Sequence, residues 1–185
     1  MVKSYKNFWS LNIDEAIVTG ILRNARLKDV EILMPLNAQM KGIDLVVFNT
    51  KNMKLKTIQV KGSKGYDLNK SQIKKYGNGS AGWFSFHKDV IHKSTADFFI
   101  FLVYVIEDLP KLGRQHIEPH IVTIPTDELT KLAKKYKRTG KGGRYNFYFL
   151  IDPIKKHSIE FRDDEYSLDR YLDKSGFDIL AKALK

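Results

Sequence analysis

The stretch Gly42 to Gly62, GIDLVVFNTKNMKLKTIQVKG, leaves the backbone few choices. Two runs rich in apolar and β-branched residues flank Asn49 to Asn52, a segment of turn formers, so two neighbouring strands joined by a tight turn are expected. In a strand, residues i and i+2 share a face. Gln59 and Lys61 therefore project together, while Ile58 and Val60 point the opposite way, towards a core. Pairing through the turn brings Asp44, early in the first strand, to the same end of the sheet as Lys61. A carboxylate, an amide carbonyl and an ammonium held together can bind a divalent cation and polarise a phosphate.

The rest of the chain supplies elements that can support such a pair. Ile13, Ala16, Ile17, Gly20, Ile21 and Leu22 recur at helical spacing, predicting an amphipathic helix over Ile13 to Leu27 with Asn12 as N-cap. Glu15 then has two readings: it closes a capping box on Asn12, or it reaches towards the sheet as a second carboxylate. Val30 to Leu36 is expected as an edge strand that ends near a proline. Ile43 to Phe48 reads as a strand buried on both faces apart from Asp44. A carboxylate there is costly unless paired, hydrogen-bonded or metal-bound, although a solvated strand end bonding loop amides remains open.

Beyond Lys61, the stretch GSKGYDLNKSQIKKYGNGSAGW is expected to be a long loop containing one short helix. Trp83, Phe84 and Phe86 follow it, and such rings either stack bases or pack against the sheet. His87 and His92 are five apart, poor spacing for one helical face, and are not read as a metal pair. Phe98 to Val105 is the most apolar strand. His116 and His120, with Pro119 between them, are read as surface histidines flanking a strand over His120 to Ile124. Thr126 should cap a helix whose first turn carries Asp127 and Glu128. Its basic end leads through the glycine-rich TGKGGR into a strand over Tyr145 to Ile151. Helical spacing then resumes over Ser167 to Leu184, with an interruption expected at Gly176.

Charge narrows the partner. The net charge is +11, and Lys51 to Lys75 holds eight lysines against the single acid Asp67. Lys131 to Arg144 holds seven basic residues and no acid, whereas Glu160, Asp163, Asp164, Glu165, Asp169, Asp173 and Asp178 gather near the C-terminus. A basic face of this kind suits a polyanion, nucleic acid before membrane. Lys64, Lys70, Lys74, Lys75, Lys135, Lys137, Arg138, Lys141 and Arg144 are the expected phosphate contacts. The chain has no cysteine, which excludes disulfides, thiolate zinc sites and cysteine nucleophiles and fits a reducing cytoplasm. Met1 to Glu15 carries no signal-peptide pattern, and the longest apolar run is too short to span a bilayer, so a cytoplasmic protein without a membrane partner is expected.

The order of these features, a helix with Glu15, a strand, a strand with Gly42-Ile43-Asp44, a strand with Gln59-Val60-Lys61, then a helix and further strands, resembles the PD-(D/E)XK nuclease superfamily. The resemblance covers Asn12 to Val105 and implies an α/β, restriction-endonuclease-like αβββαβ core: a mixed central sheet flanked by helices in three layers, with an extra C-terminal strand and helix, residues 1–185 forming one domain. It also implies Mg2+- or Mn2+-dependent hydrolysis of phosphodiesters, of DNA, as in restriction, repair, recombination or mobile-element defence. Asp44, the Gln59 carbonyl, the Val60 backbone carbonyl and Glu15 would then be metal ligands, and Lys61 would orient water or neutralise developing charge. One position departs from the pattern: Gln59 stands where most members have an acid, which removes one negative charge from the site.

Two other readings stand beside this one. The chain is a noncatalytic nucleic-acid-binding module that keeps the nuclease fold, or a basic interaction domain in which Asp44 and Glu15 only cap elements. A homodimer would serve two coordinated cuts, yet no helix carries a convincing dimer stripe.

Overall fold

The computed structural model describes residues 13–35, 42–77, 79–109, 114–135, 139–162 and 166–185. Among these, α1 (Ile13–Asn24) opens with Asp14 and Glu15 and closes with Arg23, an order that suits the helix dipole. The expected cap Asn12 lies outside the described residues. β1 (Val30–Leu33), β2 (Leu45–Asn49) and β3 (Leu55–Ser63) follow as an antiparallel meander. The β2 to β3 turn forms where expected: Asn49 Oδ1 accepts from the Lys51 amide at 2.9 Å and from the Asn52 amide at 3.4 Å. β1 is the sheet edge, as its proline suggested. β2 is narrower in its burial than expected, with Leu45 and Val47 buried and Val46 and Phe48 only partly so.

The segment expected to be a long loop is largely regular structure. It holds β4 (Gly65–Asp67), α2 (Lys70–Tyr76) and the start of β5 (Ser80–His87). A capping box between Asn69 and Gln72 fixes the start of α2. Polar composition hid these elements, because their apolar residues are few and are completed by distant strands. The chain continues through α3 (Asp89–His92), β6 (Phe98–Leu109), β7 (Arg114–Pro125), α4 (Thr126–Lys135), β8 (Thr139–Gly140), β9 (Arg144–Asp152), β10 (His157–Glu160), β11 (Tyr166–Ser167) and α5 (Asp173–Ala183).

Pairing sorts the strands into a five-stranded sheet, β1-β2-β3-β6-β7, and a second sheet, β11-β10-β9-β5-β4, with β8 on β9. In the first sheet β6 runs parallel to β3 from Ile58 opposite Phe98 to Ser63 opposite Val103, so the sheet is mixed. The second sheet curls over one face of the first: the chain passes from β3 into β4 at Lys64, and Gly65 approaches the Tyr104 carbonyl too closely for a Cβ. One face of the first sheet is thus covered by α1 and α5 and the other mainly by strands. This departs from the expected sheet flanked by helices, because β5 and β9 carry inward rings at two-residue spacing that seal the far face.

The strand β6 divides two cores. Its Phe99, Phe101, Val103 and Val105 face Phe84 and Phe86 of β5 and Phe147 and Phe149 of β9. Its Phe98, Ile100 and Leu102 face Val18 and Leu22 of α1 and Leu180 and Leu184 at the end of α5. Gly176 does not interrupt α5. A Cβ there would meet the Tyr171 carbonyl and approach Thr123 Cβ to 2.9 Å, so the glycine lets the helix press onto β7. No helix among the described residues is long and apolar enough to cross a membrane.

Candidate functional site

Asp44 lies one residue before β2. Its amide donates to the Ile58 carbonyl at 2.8 Å, and its Oδ2 accepts from the Val60 amide at 2.8 Å. The side chain therefore continues the β2 to β3 pairing past the point where the β2 backbone turns away. That bond is structural in itself, and it also aims the carboxylate at the Gln59 to Lys61 segment. Oδ1 has no hydrogen-bond partner among the described residues.

Gln59 and Lys61 fall on the face away from Ile58 and Val60, as alternation requires, and line one cleft of about 450 Å³. Its opposite wall is Trp83, Phe84, Ser85 and Phe86 of β5, beyond the part of that strand paired with β4. Gln59 is 7 % exposed, and its Oε1 has no hydrogen-bond partner among the described residues. Gly42, with φ of +84°, turns the chain beside it, so that a Cβ at Gly42 would stand 3.7 Å from Gln59 Nε2. A buried amide oxygen without a partner costs about 1–3 kcal/mol, and few native groups are left in that state.

The first helix contributes an acid that the sequence pattern did not single out. Asp14 accepts a hydrogen bond from Tyr104 Oη at 3.0 Å, and its carboxylate occupies the space where a side chain on Gly62 would be. Burial, helped by this carboxylate, pushes the Tyr104 hydroxyl up to about 12. Glu15 shares an inward stripe with Val18, Thr19 and Leu22, and its backbone carbonyl accepts from Thr19 Oγ1 at 2.8 Å. Asp14 places a carboxylate against the end of β3. Neither its type nor its spacing distinguishes it from Glu15 in sequence, and Gly62, which leaves room for its carboxylate, lies in β3, the third strand after α1.

The expected phosphate contacts separate. Arg144 reaches the cleft wall, donating from Nε to Ser85 Oγ at 3.1 Å and from Nη2 to the Ser85 carbonyl. Lys64 is exposed at the crossing from β3 to β4, and Lys70, Lys74 and Lys75 are exposed on α2. Lys135 ends α4. Lys137 and Arg138 lie outside the described residues, as does the Lys141 side chain. The histidines also sort themselves. His92 Nε2 is hydrogen-bonded to Tyr145 Oη at 2.7 Å, which ties α3 to β9. His120 is not the surface residue expected: its ring lies within β7 with Nδ1 2.7 Å from Asp173 Oδ2, and Asp173 Oδ1 accepts from the Ile121 amide at 2.9 Å. Asp169 makes a similar pair of contacts to His157 and the Ser158 amide. Two of the C-terminal acids thus fasten the last turn and helix to the sheets.

No group of three or more His, Cys, Asp or Glu side chains able to hold a metal occurs among the described residues. The donors gathered at β3 are oxygens of another kind: one carboxylate, one side-chain amide carbonyl and the backbone carbonyl of Val60. Such a set suits a hard cation that keeps several waters, and the unpartnered Gln59 Oε1 is the atom within it that gains most from a ligand. Comparison with protein-family models, curated proteins and solved structures finds no match for the chain.

Proposed function

We propose that the chain is a metal-dependent nuclease that hydrolyses phosphodiester bonds of DNA, on a core of the restriction-endonuclease-like type. The observation that carries this reading is the unpartnered oxygen of Gln59, buried in the cleft that Lys61 also lines and one residue from the Val60 amide that Asp44 binds. The order of elements supports it: α1, the antiparallel β1 to β3, and a parallel β6 beside β3 are in the sequence such a core uses. The crossover from β3 to β6 is longer than a single helix, passing through β4, α2, β5 and α3.

Asp44, Gln59 and the Val60 carbonyl would hold Mg2+ or Mn2+, with an α1 carboxylate, Glu15 or Asp14, adding negative charge nearby. A bound cation supplies positive charge to the phosphoryl group and acidity to water. Lys61 places its ammonium in the same cleft, where it can neutralise a non-bridging phosphate oxygen as charge develops. Arg144, tied to Ser85, offers a second cation on the opposite wall. The neutral Gln59 favours weaker metal binding than an acid would give, and a noncatalytic DNA-binding module is the alternative that this residue supports.

A cleavage assay on plasmid and on single-stranded DNA, with Mg2+ or Mn2+, tests the reading. Wild-type protein should cleave at least one of the two, and Asp44→Ala and Lys61→Ala should each lower the rate at least about a hundredfold. Cleavage that survives both substitutions removes the proposed site. Absence of cleavage in the wild type, together with salt-sensitive DNA binding, leaves the noncatalytic module.

A further inference from the structure

The outer face of the second sheet carries aromatic rings outside the two cores on β6, of which Tyr76 and Phe161 pack on a smaller buried cluster of Leu68, Ala81, Leu150 and Ile159. Trp83, 45 % exposed, is the cross-strand partner of Tyr148, and the two rings lie nearly parallel at 14° with centroids 6.2 Å apart. Tyr148 meets Phe161 at 6.1 Å, and Phe161 meets Tyr76 of α2 at 5.6 Å, so the rings form a connected track. Cations border it: the Arg162 guanidinium lies 5.1 Å from the Tyr148 ring centre and Lys75 Nζ 4.8 Å from that of Tyr76. Tyr148, Phe161, Arg162, Tyr76 and Lys75 line a shallow groove of about 450 Å³. Trp83 joins the two regions, since it also lines the cleft of Gln59 and Lys61.

An exposed Trp83 continued by the half-buried rings of Tyr148, Phe161 and Tyr76, and edged by cations, suits a ligand with flat apolar faces and negative charge along its length. Single-stranded DNA meets both requirements, because its bases are free to stack and its phosphates repeat regularly. Duplex DNA offers the phosphates but keeps its base faces stacked on one another. We infer that this face binds an unpaired DNA strand and leads it past Trp83 into the cleft, so that the substrate of the proposed nuclease is single-stranded DNA or a duplex with a single-stranded extension. The inference rests on the nuclease reading for the fate of the strand, but not for its binding.

The two are separable by experiment. Fluorescence anisotropy of a labelled 15-nucleotide DNA single strand, in EDTA so that nothing is cut, reads the track alone. Wild-type protein should bind it at least about tenfold more tightly than the matching duplex. Trp83→Ala and Tyr148→Ala should each weaken binding by about five- to a hundredfold, Trp83→Phe should recover most of the loss, and Arg162→Ala should flatten the salt dependence. Thermal melting of each variant near the wild-type temperature excludes a folding defect, and Trp83, being half exposed, is a side chain that can be cut back without opening a core. Lys61→Ala should lose cleavage and weaken single-strand binding by less than either ring substitution does. Equal affinity for single strand and duplex, or wild-type affinity in well-folded Trp83→Ala and Tyr148→Ala proteins, overturns the inference even if plasmid is nicked. Tighter binding to an RNA 15-mer than to DNA overturns the assignment to DNA. Single-strand binding that depends on both rings, with no cleavage under any metal, upholds the track and defeats the nuclease.

Discussion

At the scale of a residue, Gln59 is the position where the fold and the proposed metal site make opposite demands. Its neighbours Ile58 and Val60 are buried in an apolar core, and its own side chain is buried almost as deeply on the other face, with an oxygen that no described residue satisfies. That cost falls on the fold unless a ligand meets the oxygen. Gln59→Met, similar in length and without the polar group, should therefore raise the unfolding free energy in EDTA by about 1 kcal/mol. Chemical denaturation repeated in millimolar Mn2+ should narrow or reverse the difference, because only the wild type gains from a bound cation. A Met variant that is less stable than wild type in EDTA would show that the amide has a structural partner.

At the scale of an element, the parallel β3 and β6 pair is anchored by Asp97 at its entrance. The Asp97 carboxylate accepts from the Thr57 amide at 2.8 Å, from Thr57 Oγ1 at 2.9 Å and from Lys56 Nζ at 3.0 Å, while its backbone joins Thr57 and Thr126. Burial works to raise its pKa, but the hydrogen bonds from Thr57 and Lys56 outweigh it and hold the carboxyl below the ordinary value. A carboxyl depressed in the folded state stabilises in full above its unfolded pKa of about 3.9, and the contribution is lost as pH falls through the folded value. Asp97→Asn should cost about 1–2 kcal/mol at pH 7, a figure reduced for the site's partial exposure. The gap between the two proteins should close below about pH 4, as urea titrations at pH 7 and pH 3 would show. Parallel pairing forms between segments far apart in the chain, so a local clamp at the first pair fixes the register that puts Gln59 and Lys61 in the cleft.

At the scale of the whole molecule, β6 unites the layers. Phe101 is fully buried and meets both Phe84 and Phe149 of the second sheet edge-on, each at 4.9 Å between centroids. Phe101→Ala should destabilise the protein by about 3–5 kcal/mol. Near-UV and far-UV circular dichroism should lose signal at the same, lower denaturant midpoint if the two sheets fold as one unit. Separate midpoints would show that the curled sheet can detach, and with it the wall of the cleft.

Much of this architecture was legible in the alternation of particular residues. Leu45, Val47, Ile58 and Val60 on one face and Gln59 and Lys61 on the other follow from a period of two, and the Asn49 turn fixes which strands meet. The unbroken apolar run of Phe98 to Val105 demands a strand buried on both sides. Those are short-range consequences of backbone geometry, and they bring Asp44 to β3 without knowledge of the rest. Only the tertiary structure decided what faces Gln59 and Lys61. The strand β5 opposite them, the choice of Asp14 at Gly62, the capture of His120 by Asp173 and the exposure of Trp83 beside buried Phe84 and Phe86 all depend on contacts across long stretches of chain. A sequence pattern states which side chains share a face, whereas the second sheet that curls over that face determines which become core, which become anchors and which are left open to a ligand.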